Sequence, residues 1–270
     1  MDEKKKEMGK TILIWLPALL LIPFASAAVS VGSPAISDPI DLSAGSASMV
    51  QCNAAISDDS GWENILSANA TIWHSSSSEG AADDDNDHYT NASCSFGENI
   101  SSTEVPVTCS FSMQYFSNPG SWTCKIRAYN GSSEGSSLIA YSVNTLLAIK
   151  IPENLNFGSM ALGQTSTDDS ENVTAIENYG NVQLDVKLSG SAMACSSGSF
   201  STSSIRYSGS DNAAYDSMES LSGNSTTFDL NLPQRTGGAS VKNMYWKIRL
   251  PEAGAGGMCS NTIDFTAASG

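Results

Sequence analysis

A period-two alternation of apolar and polar residues recurs along this chain and constrains its fold more than any other feature. Trp122-Thr-Cys-Lys-Ile-Arg-Ala128 is the cleanest case. It puts Trp122, Cys124, Ile126 and Ala128 on one face and Lys125 and Arg127 on the other, as a half-buried strand requires. Ser48 to Ile56 does the same, with Val50, Cys52, Ala54 and Ile56 in phase. Asn69–His74, Val105–Thr108, Phe111–Phe116 and Leu138–Val143 read as further strands, separated by Gly, Ser, Asn and Asp clusters. Helical periodicity is nearly absent. Asp58–Ala68 has room for one helical turn around Trp62 and Ile65, and Asp211–Leu221 is the best helix candidate. The fold class expected is all-β.

The chain beyond the N-terminal 28 residues is long enough for one large or two ordinary domains, and two sandwiches is the natural division. Leu138–Val143 is followed almost at once by a second apolar run, Leu146–Ile151, so a boundary is expected at 144–149. So short a connection favours a semi-fixed angle between the halves. Beyond it, strands are expected at Val173–Glu177, Val182–Leu188, Ser204–Tyr207, Thr226–Leu232, Met244–Leu250 and Asn261–Thr266. Asn178-Tyr-Gly-Asn181 reads as a turn in which Gly180 is free to take positive φ.

The N-terminus sets the compartment. Lys4, Lys5, Lys6 and Lys10 precede an apolar run from Thr11 to Phe24 and then Ala25-Ser-Ala-Ala28. A basic start, an apolar middle and small residues at the end make a secretory signal over residues 1–28. The alternative is an uncleaved anchor, the only contact with a membrane that the sequence offers. Six cysteines follow: Cys52, Cys94, Cys109, Cys124, Cys195 and Cys259. An even count in an exported chain implies disulfides, and six cysteines allow fifteen pairings. Four precede residue 145 and two follow it, so bridges kept within domains pair Cys195 with Cys259.

The formal net charge of −15 makes phosphate backbones poor partners, so no nucleic acid is expected. Asn69, Asn91, Asn99, Asn130, Asn172 and Asn224 each open an Asn-x-Ser/Thr sequon and are glycosylation candidates.

Asn118-Pro-Gly-Ser-Trp-Thr-Cys124 carries a resemblance. Immunoglobulin-like domains place an aromatic residue two positions before the second cysteine, after a turn with Gly. Residues 40–145 resemble the immunoglobulin-like modules of secreted archaeal cell-surface proteins, in which a Pro-Gly-x-Trp-x-Cys segment recurs. The resemblance implies an Ig-like sandwich over 29–145 with an inter-sheet bridge from Cys52 to Cys124, and Cys94–Cys109 as an extra local bridge. Trp122 stands where Tyr is usual, which puts the hydrogen bond of the tyrosine corner in question. Trp73 lies farther beyond Cys52 than the usual strand-C tryptophan. Residues 146–270 resemble envelope-associated β-sandwiches through Leu155-Asn-Phe-Gly158, Asn178-Tyr-Gly-Asn181, Tyr245-Trp-Lys-Ile-Arg-Leu-Pro251 and Cys259-Ser-Asn-Thr-Ile-Asp-Phe265.

Chemistry is sparse. Asp83, Asp85 and Asp87 alternate as in calcium loops. The EF-hand pattern fails, because His88 stands at position 6 and Cys94 at position 12 counted from Asp83. A solvated acidic loop and a calcium site both remain open, and calcium is the one cofactor considered. His74 and His88 are the only histidines. No His-Glu-x-x-His helix or phosphate loop occurs, and no catalytic residue is assigned. Trp62, Tyr115, Phe116, Tyr245 and Trp246 are the aromatics that could meet a ligand, with Trp62 the leading candidate. The expectation is a secreted, non-enzymatic surface protein that meets envelope proteins, glycans or its own copies. An adhesin or carbohydrate-binding module is the alternative, and an extracellular hydrolase stands behind both.

Overall fold

A computed structural model describes residues 28–167 and 172–270. The signal over residues 1–28 falls, but for Ala28, outside the described residues. The described chain is all-β, with disulfides and sandwich-like sheets.

The first half contains β1 (Val29–Val31), β2 (Ser48–Asp58), β3 (Ser67–His74), β4 (His88–Asn91), β5 (Ser95–Phe96), β6 (Glu104–Met113), β7 (Gly120–Tyr129) and β8 (Glu134–Val143). They form two antiparallel sheets in the orders β1-β2-β6-β5 and β4-β3-β7-β8. The alternation predicted for β2 and β7 is what the sheets bury: Cys52, Ile56, Trp122, Cys124 and Ile126 are fully inside. Cys52 and Cys124 are bonded to each other, and so are Cys94 and Cys109. The two strands expected at 105–108 and 111–116 are one. Val105, Val107, Cys109, Phe111 and Met113 continue a single buried face, so Cys109-Ser110 is no turn. Trp73 sits on the partly exposed face of β3, and Ile72 fills the inward position.

The second half contains β9 (Ile149–Lys150), β10 (Val173–Asn178), β11 (Leu184–Gly190), β12 (Met193–Phe200), β13 (Ile205–Ser208), β14 (Glu219–Ser220), β15 (Thr226–Leu232), β16 (Val241–Ile248), β17 (Ala255–Ser260) and β18 (Ile263–Ser269). One sheet runs β14-β13-β16-β10-β9 and another β15-β11-β18, while β12 and β17 form a ribbon closed by Cys195–Cys259. The core includes Ile176, Leu188, Tyr207, Leu232 and Trp246. Trp246 is therefore a core residue, and Tyr245 beside it is half-buried.

One expectation gives way. Asp211–Leu221 forms no α-helix: Tyr215–Ser217 is a single 3-10 turn leading into β14. Tyr215, Met218 and Leu221 mimic helical spacing, yet all three reach the core from this turn and edge strand. Asp58–Ala68 holds a single turn, as expected, and it is a 3-10 turn at Trp62–Asn64. The run 146–151 contributes only the two residues of β9 to a sheet.

The halves are tied by side chains. Fully buried Asn181 accepts from Leu146 N (2.7 Å) and donates to Asn144 O (3.0 Å), clamping the connection from outside it. Gly180 is not at positive φ, contrary to expectation. A Cβ there would stand 2.3 Å from the Leu146 carbonyl, so glycine is required for close approach. Asn86 bridges Phe116 O and Arg235 O, and Gln234 donates to Phe116 O and Asn118 Oδ1. The Arg235 guanidinium lies over the Phe116 ring and donates to the Tyr115 hydroxyl, while Tyr115 packs on Tyr179. Tyr115 and Phe116, read as ligand-facing candidates, are thus buried in this junction.

Candidate functional site

The strand directions place two sets of loops at opposite ends of the first sandwich. The segments around 43–47, 83–87 and 114–119 lie at the junction end. The segments 59–66, 97–103 and 130–133 lie at the far end, because β2 and β7 finish there while β3, β6 and β8 begin there.

The far loops are built as one face. Asp58, fully buried, accepts from Ser60 N (2.8 Å) and from Asn130 Nδ2 (2.7 Å), joining two loops through one carboxylate. Asn130 Oδ1 in turn accepts from Ser132 N and Ser133 N, a turn typical of Asn. Trp62 N donates to Ser102 O (3.2 Å) and Asp58 N to Thr103 O (3.0 Å), which brings in the third loop. Gly61, at φ 120°, supplies the backbone conformation that starts the turn. Leu66 N donates to Tyr129 O, and the Tyr129 hydroxyl is pinned to Gly131 O (2.6 Å).

On this frame stand Leu66, Ile100 and Tyr129, exposed by 66 %, 59 % and 44 %. Trp62, the sequence candidate, is half-buried and packs against the first core, so it supports the face more than it projects from it. The other three were missed. Ile100 is isolated among polar loop residues and Leu66 follows buried Ile65, so no periodicity marks either, while Tyr129 ends β7 on the outward phase of its alternation. This end of the sandwich exposes an aromatic ring, two aliphatic side chains and several serines.

The acidic segment is at the opposite end and is internally occupied. His88, almost fully buried, places Nδ1 3.0 Å from Asp83 Oδ1 and Nε2 3.2 Å from Glu79 O. The Glu79 carboxylate pairs with Lys125 and Arg127. Asp85 and Asp87 enter the network through backbone oxygens, which accept from Ser117 Oγ and His74 N. Among the described residues no three His, Cys, Asp or Glu side chains gather as a metal site. His74 faces Ser76 Oγ (2.7 Å) and Pro119 O, and neither histidine joins a hydroxyl to a carboxylate.

The sequons fall in different surroundings. Asn99 and Asn224 are exposed, Asn69 is half-exposed on β3, and Asn91 donates to Ser110 O. Asn130 is bound to Asp58, and Asn172 is 4 % exposed with its amide on Thr167 O.

No protein-family model matches the chain. No curated protein matches it either. Among solved structures, a DUF4785 family protein of Legionella pneumophila aligns with 88 % of this chain at 7 % identity and a TM-score of 0.29; the chain spans only 46 % of it. The C-terminal domain of the Streptococcus agalactiae AgI/II polypeptide BspA aligns over 91 % of this chain and 96 % of that domain, at 8 % identity and a TM-score of 0.25. A structure of the chaperone–tip adhesin complex of CFA/I fimbriae aligns over 89 % and 84 %, at 9 % identity and a TM-score of 0.28. At such values the overlap is too small to carry fold detail or function across.

Proposed function

We propose that this chain is an extracellular interaction module, a β-sandwich arm that presents the loop face of Leu66, Ile100 and Tyr129 to an envelope partner. One observation carries the reading: Leu66 and Ile100 on two loops and Tyr129 at the end of β7 stand exposed where hydrogen bonds hold the loops in register. Exposed apolar groups gathered on one face of a soluble domain cost solubility and mark contact surfaces. Building them on a braced frame reduces the ordering cost of binding.

The first sandwich reads best as immunoglobulin-like. Orders β1-β2-β6-β5 and β4-β3-β7-β8 correspond to the A-B-E-D and C′-C-F-G sheets of that fold, with Cys52 and Cys124 on the B and F equivalents. The loop face then corresponds to the end of the fold where B–C and F–G loops meet. An exported chain is supported by three disulfides and no free cysteine among the described residues. Binding by an aromatic ring at the tip also keeps the carbohydrate reading within the same surface.

The test is binding of the purified protein to the envelope fraction of the producing cells. Replacing Leu66, Ile100 and Tyr129 together by Ser should weaken binding at least about tenfold, roughly 1.4 kcal/mol, with the melting transition preserved. Undiminished binding by the folded triple variant would refute this face as the contact surface.

A further inference from the structure

The second half contains a cleft of about 750 Å³ that the loop-face reading does not use. Its floor is core: Met193, Phe200, Trp246 and Ile248 line it, each at most 9 % exposed. Its roof is the segment 152–160. Leu155, Phe157 and Met160 on this segment are half-buried against the second core, while their neighbours face solvent. Among the described residues, no backbone–backbone hydrogen bond ties any part of 152–160 to the rest of the chain. The roof is therefore held by inserted side chains rather than by a ladder.

The lining is mixed: polar Asn154, Asn156 and Asn261 stand beside apolar Phe157, Ile263 and Phe265, and among the described residues that line the cleft exposed Glu153 is the one charged. The Trp246 indole N–H is already given to Thr174 Oγ1 at 3.0 Å in a buried pair, so the floor presents no unmet donor there. Met160, Met193 and Met258 line the space with flexible thioethers that adapt to an unbranched guest. A volume of this order lies within the range of small-molecule sites.

We propose that this cleft is a binding site for an elongated hydrocarbon chain, which enters beneath the 152–160 roof and packs on Trp246 and Phe200. The roof can shift to admit it without breaking a sheet. The source of such a chain is either a free amphiphile or a lipid in a bilayer, and the test separates the two.

The experiment uses the full secreted chain and the uncharged fluorophore N-phenyl-1-naphthylamine. The expected result is saturable enhancement of its emission at one site per chain, displaced by 1-decanol. Ile263→Trp narrows the cleft from β18 and should weaken uptake at least about tenfold. Phe157→Asp places a carboxylate on the roof and should do the same, which keeps the test decisive if the first variant fails to fold. The Leu66→Ser variant should take up the probe as the wild type does, which separates this site from the loop face. Displacement by neutral phosphatidylcholine vesicles, with protein floating on them, assigns the chain to a bilayer; displacement by decanol alone assigns it to a free amphiphile. Non-saturable emission, or equal uptake by both folded cleft variants, would overturn the proposal.

Discussion

The Trp122 indole donates its N–H to the Asn118 carbonyl at 2.8 Å. Trp lacks the phenolic hydroxyl that makes the corresponding bond in a tyrosine corner. The indole reaches four residues back across the Pro119-Gly120 turn and does what a tyrosine hydroxyl does in a corner. Its ring also packs beside His74, Tyr89 and Tyr141, with no exposure to solvent. One residue therefore fixes the turn into β7 and fills the core next to the Cys52–Cys124 bond.

Trp122→Phe should consequently lose both functions. The unpaired carbonyl costs about 1 kcal/mol and the lost volume about as much again. Urea unfolding should show a lower midpoint at unchanged slope, amounting to roughly 2 kcal/mol. A variant as stable as wild type would mean the Trp122–Asn118 bond is incidental.

Asn181→Ala should loosen the junction before it unfolds either half. The substitution strands the Leu146 N–H and the Asn144 carbonyl, each of which loses a side-chain partner. The cost is about 1–3 kcal/mol for a buried group left unpaired. Protease cleavage within 144–148 should accelerate at least about fivefold, while the cores of both halves keep their near-ultraviolet circular dichroism.

The stability of the first sandwich should fall in alkali. Burial, opposed in part by the Ser117 hydrogen bond, pushes the Tyr89 hydroxyl up to about 12 from 10.0. Burial lifts Tyr141 still further. Both hydroxyls stay neutral in the fold while the unfolded chain ionises near 10. Their contribution is therefore complete below pH 10; that of Tyr89 is lost as pH rises from 10 to about 12, and the loss from Tyr141 continues above that. Tyr141→Phe should flatten this dependence. It also removes a buried hydroxyl without a hydrogen-bond partner, so stability at pH 7 should hold or rise by roughly 1 kcal/mol.

Glycans, where attached to the folded chain, should follow exposure. Asn99 and Asn224 are reachable; Asn172, at 4 % exposure, is not. Peptide mass mapping of natively produced protein should find Asn172 unmodified, and a glycan there would mean attachment before folding.

The alternation of β2 and β7 was legible because strand period and burial period coincide over many residues. β12 and β17 were not. Met193-Ala-Cys-Ser-Ser-Gly-Ser-Phe200 carries apolar residues only at its ends, and a disulfide with a ribbon partner supplies the order that hydrophobic alternation supplies elsewhere. Asn178-Tyr-Gly-Asn181 was recognisable as a turn, yet its purpose depends on Leu146 and Asn144, which are remote in sequence. The loop face was hidden for the same reason. Leu66, Ile100 and Tyr129 come to one end of the sandwich because Asp58, Ser102 and Asn130 draw three loops together.

Hydrogen-exchange mass spectrometry of the protein, free and bound to the envelope fraction of its producing cells, tests the loop-face account most directly. Protection on binding should concentrate in 59–66, 97–103 and 129–133. Protection confined to 79–89 or to the second half, with those three loops unchanged, would contradict it.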